Sequence, residues 1–386
     1  FVNFNVTTVE KEPLIPIGHE IACDQFRLPI ESPKKAFKTS GPKLTVSTNG
    51  DNLSASSSKV NFVFNRKTGI VTSYKVDGTE YFSEGFGIQP NFWRAPTDND
   101  YGNGMPKRLQ VWKESSKNFN VTDATVTMDG NNAVVNVNYL LPAGNLYIVN
   151  YTIYPSGAVN VAARFTSTDM DAAQTEVSEA TRTATFTPGR DAARKEASKL
   201  NVPRIGVRFR LPASMNQVEY FGRGPAENYL DRNAGSMIGL YKSTAEELYF
   251  PYVRPQENGH HTDTRWVSLS TGKKGLLIQA DNTIGFNALR NSIEDFDDEE
   301  ATGLPRQWSN FTPEQVANHD EAAAKSVLRR QHHINDITPR DFVEVCVDLK
   351  QQGVAGYDSW GSRPEPAYTL PANREYNWGF TLIPLK

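Results

Sequence analysis

The sequence predicts an all-β protein, a large sandwich of antiparallel sheets. Three observations carry the prediction: apolar residues recur with a period of two in many short runs, turn formers separate those runs, and helical signals are few. Successive side chains of a strand point to opposite faces, so strict alternation marks a strand with one buried face. Strands of that kind joined by short turns pair antiparallel and pack face to face.

Along the chain, Phe1–Ile30 is too short for a domain and reads as one or two strands that need partners from elsewhere. Residues 31–59, rich in Ser, Pro, Lys and Gly, read as a linker leading into a sandwich that fills 60–386. Asp77-Gly78, between Ile70–Val76 and Tyr81–Phe82, is a hairpin signal. Asp129-Gly130-Asn131-Asn132 marks another turn, and Pro155-Ser156-Gly157 separates Tyr147/Val149/Tyr151/Ile153 from Val159/Val161/Ala163/Phe165. In Ile205–Leu211, the apolar Ile205, Val207, Phe209 and Leu211 alternate with Arg208 and Arg210, which reads as a half-buried strand. The turn Thr271–Gly275 precedes two further runs, Val343/Val345/Val347/Leu349 and Tyr376/Trp378/Phe380/Leu382. Two helices are expected. One begins at Thr312 as N-cap, with Pro313 at N1 and Gln315 closing a capping box, and runs to about Arg330; the other is short and lies in Gly189–Leu200. The acidic run Glu294–Glu300 reads as a solvated loop.

Composition narrows the function classes. The chain has 386 residues, with 41 basic against 44 acidic side chains, which excludes a strongly cationic nucleic-acid binder. No run approaches the ~18 apolar residues that span a bilayer, so no membrane role is expected. Cys23 and Cys346 have no CxxC spacing and read as buried free thiols. The chain opens at Phe1 without Met or a signal sequence, as a processed protein or a piece of a longer one would.

Four segments break the strand rhythm: Asn91–Gly104, Tyr220–Arg232, Pro251–Trp266 and Gly353–Gly361. They concentrate aromatics with Asp, Asn and Arg, a mixture suited to a sugar's C–H faces and hydroxyls. Trp93, Trp112 and Trp266 read as core residues. Trp360, in a glycine-rich loop after a strand, reads as partly exposed and functional. Asp98, Asp100, Glu227, Glu257 and Asp358 are candidate carboxylates for glycoside chemistry, but sequence does not pair them, and Glu227 and Glu257 read as structural. Neighbouring residues in a strand face opposite ways, so His260-His261 and His332-His333 make poor metal ligands; no metal site is expected. His19 reads as structural, and no GxSxG, P-loop or GxGxxG fingerprint is present.

The motifs NFWRAPTDNDYGNG (Asn91–Gly104), YFGRGPAENYLD (Tyr220–Asp231), PYVRPQENG (Pro251–Gly259) and GVAGYDSWG (Gly353–Gly361) resemble, in the family's order, the small-chain domain of bacterial β-galactosidases of glycoside hydrolase family 2. GHEIACDQF (Gly18–Phe26) resembles the end of the immunoglobulin-like domain that precedes it. The resemblance covers nearly the whole chain. It implies a galactose mutarotase-like super-sandwich preceded by remnant immunoglobulin-like strands. It implies a parent enzyme that cleaves terminal β-D-galactosides with retention, using two glutamates on an upstream TIM barrel for which this chain has no room. Neither glutamate's role transfers to Glu227 or Glu257, and this chain alone is expected to be inactive. The implied site residues are Trp360, stacking on the group attached to galactose, and Asp98, Asn99 and Asp100, in a mobile loop 98–105 with Gly102 and Gly104 as hinges.

The resemblance places the parent's Mg and Na on residues absent here, so no cofactor is expected in this chain. The expected partners are a galactoside or other carbohydrate and the barrel domain; a homo-oligomer is compatible with the reading. The compartment stays open between bacterial cytoplasm and periplasm. Two departures bear on substrate preference: Ala355-Gly356-Tyr357-Asp358 stands where the family has Gly-Gly-Asp-Asp, and 298–335 is longer than the usual connection. The alternatives are an autonomous carbohydrate-binding module and a mutarotase-like epimerase using His260 or His261 with Glu257.

Overall fold

A computed structural model describes residues 1–30, 36–166, 201–297, 333–358 and 361–386. The two helices expected in 189–200 and 312–330 lie outside the described residues, as does Trp360. What is described is mostly strand, and every strand pairing is antiparallel, as expected.

The first two strands, β1 (Val2–Thr7) and β2 (Glu20–Phe26), form a separate two-stranded sheet. Phe4, Val6, Ile21 and Phe26 are more than half exposed. Cys23 lies on β2 and is exposed, which corrects the expectation that both thiols are buried; only Cys346 is. The physical reason is that no second layer of described residues covers this sheet.

Next come β3 (Thr45–Asn49), β4 (Asn52–Ser56), β5 (Val60–Asn65), β6 (Ile70–Val76) and β7 (Thr79–Glu80), a five-stranded meander. The stretch read as a linker thus holds two strands. Their only strong inward signal is Leu53 and Ala55, diluted among serines. The hairpin expected at Asp77-Gly78 forms, with φ of 49° and 76° at the two turn residues. Left-handed conformation at both central positions matches the right-handed twist of the flanking strands.

The remaining strands build one twelve-stranded sheet. They are β8 (Gln89–Asn91), β9 (Asn120–Asp129), β10 (Asn132–Leu140), β11 (Leu146–Ile153), β12 (Val159–Thr166), β13 (Arg204–Pro212), β14 (Gln217–Gly224), β15 (Met237–Thr244), β16 (His261–Ser270), β17 (Gly275–Leu289), β18 (Phe342–Gln351) and β19 (Tyr376–Leu385). The main path runs β15-β14-β16-β17-β19-β12-β11-β10-β9. β17 carries a branch: Gly275–Ala280 pairs with β19, while Gly285–Leu289 pairs with β18, which pairs with β13, which pairs with β8. The meander packs on the β9–β12 end of this sheet. Phe62 and Phe64 meet Tyr151 at ring-centroid distances of 5.6 and 6.2 Å, and the Tyr74 hydroxyl donates to the Gly157 carbonyl.

β13 is not half-buried. It lies between β18 and β8, and Arg208 is buried against Glu344 at 3.4 Å and Glu294 at 2.8 Å, while Arg210 meets Glu344 at 2.9 Å. The start of the acidic run covers that face as one helical turn, Ile293–Phe296, with Asp295 buried against Arg340. The opposing charges inside the strand bury what alternation alone would expose. Between β8 and β9 the chain makes three short helices, α1 (Asp98–Gly102), α2 (Met105–Arg108) and α3 (Gln110–Ser115). Met105, Leu109 and Trp112, spaced i, i+4, i+7, are all fully buried. Trp93 and Trp112 are core residues as expected; Trp266 is half-buried.

Candidate functional site

The four irregular segments interlock around two buried arginines. Arg94 follows β8 and is fully buried. Its Nη1 donates to Gln351 Oε1 at 3.2 Å and to the Gln352 carbonyl at 2.8 Å. Its Nη2 donates to both oxygens of Asp100 at 3.0 Å and to the Gly353 carbonyl at 3.2 Å. Asp100 in turn accepts from the Thr97 amide at 3.0 Å, while Thr97 Oγ1 accepts from the Asp100 amide at 3.1 Å. That reciprocal pair is a capping box, and it starts α1. A segment read as a polar loop is therefore helical.

The second arginine, Arg204, opens β13 and is also fully buried. Its Nη2 reaches Glu257 Oε1 at 3.0 Å and Asn287 Oδ1 at 2.8 Å, and its Nε lies 3.1 Å from Asp348 Oδ2. Glu257 Oε1 also accepts from Asn287 and Gln351. Burial holds the Asp348 carboxyl at about 7, against the pull of the Arg204 guanidinium. Burial lowers His260 to about 3, with Arg204 adding to the effect, and lowers His261 to about 4. The two histidines point apart, His260 stacking on Tyr229 and His261 on Phe286. Among the described residues no group of three or more His, Cys, Asp or Glu is placed to hold a metal ion.

Glu227 is a clamp. Oε1 accepts from Arg232 at 2.8 Å and from the Tyr252 hydroxyl; Oε2 accepts from the Gly259 amide at 2.7 Å and the Tyr229 hydroxyl at 3.3 Å. Both glutamates make structural bonds, Glu227 through both oxygens and Glu257 through Oε1. A cavity of about 20 Å³ beside Glu257 and one of about 40 Å³ beside His260 have room for little more than water. A cavity of about 390 Å³ lies elsewhere, near Phe37, Leu277 and Ile383, and none of the four segments lines it.

The expected site residues divide. Asp98 is exposed, pairing with Arg254 at 2.9 Å and with Gln256. The Arg254 guanidinium sits 3.9 Å from the Tyr101 ring centroid. Asn99 is half-buried; its Nδ2 donates to the Val354 carbonyl at 3.2 Å and the Ser362 carbonyl at 2.6 Å. Asp100 is 1% exposed and shapes α1 from within, because Arg94 and the cap take its oxygens. Gly102 is not left-handed; a Cβ there would meet Gly361 Cα at 3.1 Å, so its bareness serves a close approach. Gly104 has φ of 72° and open space around it. Sequence reasoning did not single out Arg94, Arg204, Asn287, Asp348 or Asp231; the one available signal was charge inside apolar strands, as at Asp348 between Val347 and Leu349.

A family model described as the beta galactosidase small chain matches residues 56–382. The chain belongs to the β-galactosidase small-chain family. A β-galactosidase of Priestia megaterium is 31% identical over 371 residues, covering 95% of this chain and 30% of the relative. A β-galactosidase of Streptococcus thermophilus is 26% identical, covering 96% of this chain and 30% of the relative. The chain thus spans about 30% of the length of these relatives. A β-galactosidase small subunit of Latilactobacillus sakei is 27% identical, covering 83% of this chain and 92% of the relative. Among solved structures, a galactose 1-epimerase from Lactobacillus acidophilus shares 8% identity at a TM-score of 0.41, covering 89% of this chain and 98% of that one. In this small-chain domain, α1 and the Gly353–Asp358 strap are bonded into one rim, with Gly361 against Gly102.

Proposed function

We propose that this small-chain domain forms part of a retaining β-galactosidase and borders an active site whose catalytic glutamates lie on a TIM barrel outside these 386 residues. The observation that carries the reading is the bonding of α1 to the chain on either side of Trp360. Asn99 bridges Val354 and Ser362, and Gly102 abuts Gly361. The two segments expected at the site's edge are one unit, so the 98–105 segment and the strap act together. Trp360 supplies the stacking surface for the group attached to galactose. Asp98 and Asn99 stand at the rim, Asp100 holds α1 in shape from behind, and movement at Gly104 admits the acceptor.

The exposed apolar residues of β1 and β2 fit the second part of the proposal, that these strands belong to an immunoglobulin-like domain completed by preceding chain. The deciding experiment is hydrolysis of o-nitrophenyl β-D-galactoside. The isolated chain is expected to give none, and activity should appear when it is combined with the polypeptide carrying the barrel. Turnover by the isolated chain that one carboxylate substitution abolishes would overturn the reading.

A further inference from the structure

We infer that Asp231 is a positioning residue that fixes the Gly353–Asp358 strap and thereby sets acceptor preference. The acceptor half of this statement rests on the function proposed above. The geometry is local and complete. Asp231 Oδ1 accepts from the Val354 amide at 2.9 Å and Oδ2 from the Ala355 amide at 2.7 Å, so one carboxylate binds two successive backbone donors. A Cβ on Gly353 would lie 2.4 Å from Asp231 Oδ2, so the strap reaches this distance only with glycine there. Ala355, a non-glycine residue, is held at φ 55°, a left-handed conformation that an alanine adopts only when its surroundings impose it.

Asp231 is itself immobilised. It sits in the turn closed by the reciprocal backbone bonds of Tyr229 and Arg232 at 3.1 and 2.8 Å. Glu227 then ties that turn to Tyr252 and the Gly259 amide. The carbonyls on the strap's other edge are taken too: Gln352 and Gly353 by Arg94, Val354 by Asn99. Arg94 and Asn99 hold it from the α1 side, the Gly353 amide donates to the Tyr368 carbonyl at 2.8 Å, and Asp231 takes the next two amides, so losing Asp231 releases the strap at Val354 and Ala355.

Two measurements test this with Asp231→Ala and Asp231→Asn. In the 386-residue chain, amide hydrogen exchange at Val354 and Ala355 should rise at least ~10-fold in Asp231→Ala, which removes both acceptors. In Asp231→Asn, which keeps one acceptor oxygen, only one of the two amides should be released. Val345 and Val347, in β18, should keep wild-type protection in both. In the enzyme assembled with the barrel polypeptide, transfer of galactose to added glucose relative to hydrolysis should fall at least ~5-fold in Asp231→Ala. Unchanged exchange at both amides in both variants overturns the inference, and so does faster exchange with unchanged partition to glucose. If the wild-type assembly shows no galactosidase activity, the proposed function falls and the exchange measurement alone decides what Asp231 holds. Should Asp231→Ala fail to fold, Asp231→Asn carries both measurements.

Discussion

Arg94 shows how a charge survives inside this molecule: fully buried, it meets the paired oxygens of Asp100 and three acceptors on the Gln351–Gly353 backbone and side chain. Removing one partner of such a pair strands the other, and the expected loss is about 3–5 kcal/mol. Arg94→Ala should therefore lower the urea midpoint strongly, and Asp100→Asn, which keeps the shape of the cap, should lower it less. The buried histidines predict a pH dependence. Their pKa values, about 3 for His260 and about 4 for His261, lie below the unfolded value of 6.5, so the unfolded chain binds more protons between those limits. The stability they contribute is fully present above about pH 6.5 and is lost as pH falls toward 3–4, at ~1.4 kcal/mol per pH unit for each histidine. Asp348, raised to about 7 from 3.8, works in the opposite sense: its contribution is present below about pH 4 and is lost as pH rises through 7. Asn287, Arg204, Asp348 and Tyr229 face His260, while Tyr220, Phe286 and the Gly259 and Pro225 carbonyls face His261. Two histidines outweigh one aspartate, so these groups should make stability rise from pH 4 to 6.5, read by thermal unfolding across that range. A flat profile in His260→Gln would assign part of the slope to His260.

At the scale of elements, α1 and the strap meet through glycines with different duties. A Cβ on Gly361 would lie 2.4 Å from the Gly102 carbonyl carbon, and Gly361 has φ of 81°, so Gly361→Ala must push the two segments apart. Gly102→Ala meets Gly361 Cα at 3.1 Å and should do the same more mildly. Gly104→Ala has open space and meets only the left-handed backbone penalty, about 1–2 kcal/mol. Limited proteolysis separates them. Cleavage within 98–105 should accelerate most in Gly361→Ala, less in Gly102→Ala, and least in Gly104→Ala. The reverse order would mean that backbone freedom at Gly104, not contact, governs this segment. The three short helices here were legible only in retrospect: Met105, Leu109 and Trp112 carry helical spacing, but over too few turns to stand out from the surrounding glycines.

For the whole molecule, the two-stranded sheet and the chain beside it put several apolar side chains on the surface. Leu14, Ile17, Ile21 and Ile30 are each more than 60% exposed. The sheet touches β15 through Gln25, whose side chain exchanges bonds of 2.8 and 2.9 Å with the Ile238 backbone, and Phe1 lies edge-on to Phe221. Apolar surface of this kind drives association. Light scattering should find the chain self-associating at micromolar concentration, and more weakly once residues 1–30 are removed. Equal association with and without them would place the sticky surface elsewhere.

The sequence by itself determined the all-β class, most of the strands and the family. Alternation and turn chemistry are local properties that each strand carries alone, and four motifs kept their order. Tertiary structure decided what the motif residues do. Asp98 and Asp100, two residues apart, part company because one meets half-buried Arg254 at the surface and the other fully buried Arg94. Glu227 and Glu257 become clamps because Tyr252 and Gly259, or Asn287 and Gln351, converge on them from other elements. Asp231 acquires its duty only where β14's turn passes the strap more than a hundred residues later in the chain. A carboxylate's role is set by which donors surround it, and donors brought together by a twelve-stranded sheet leave no periodic trace along the chain.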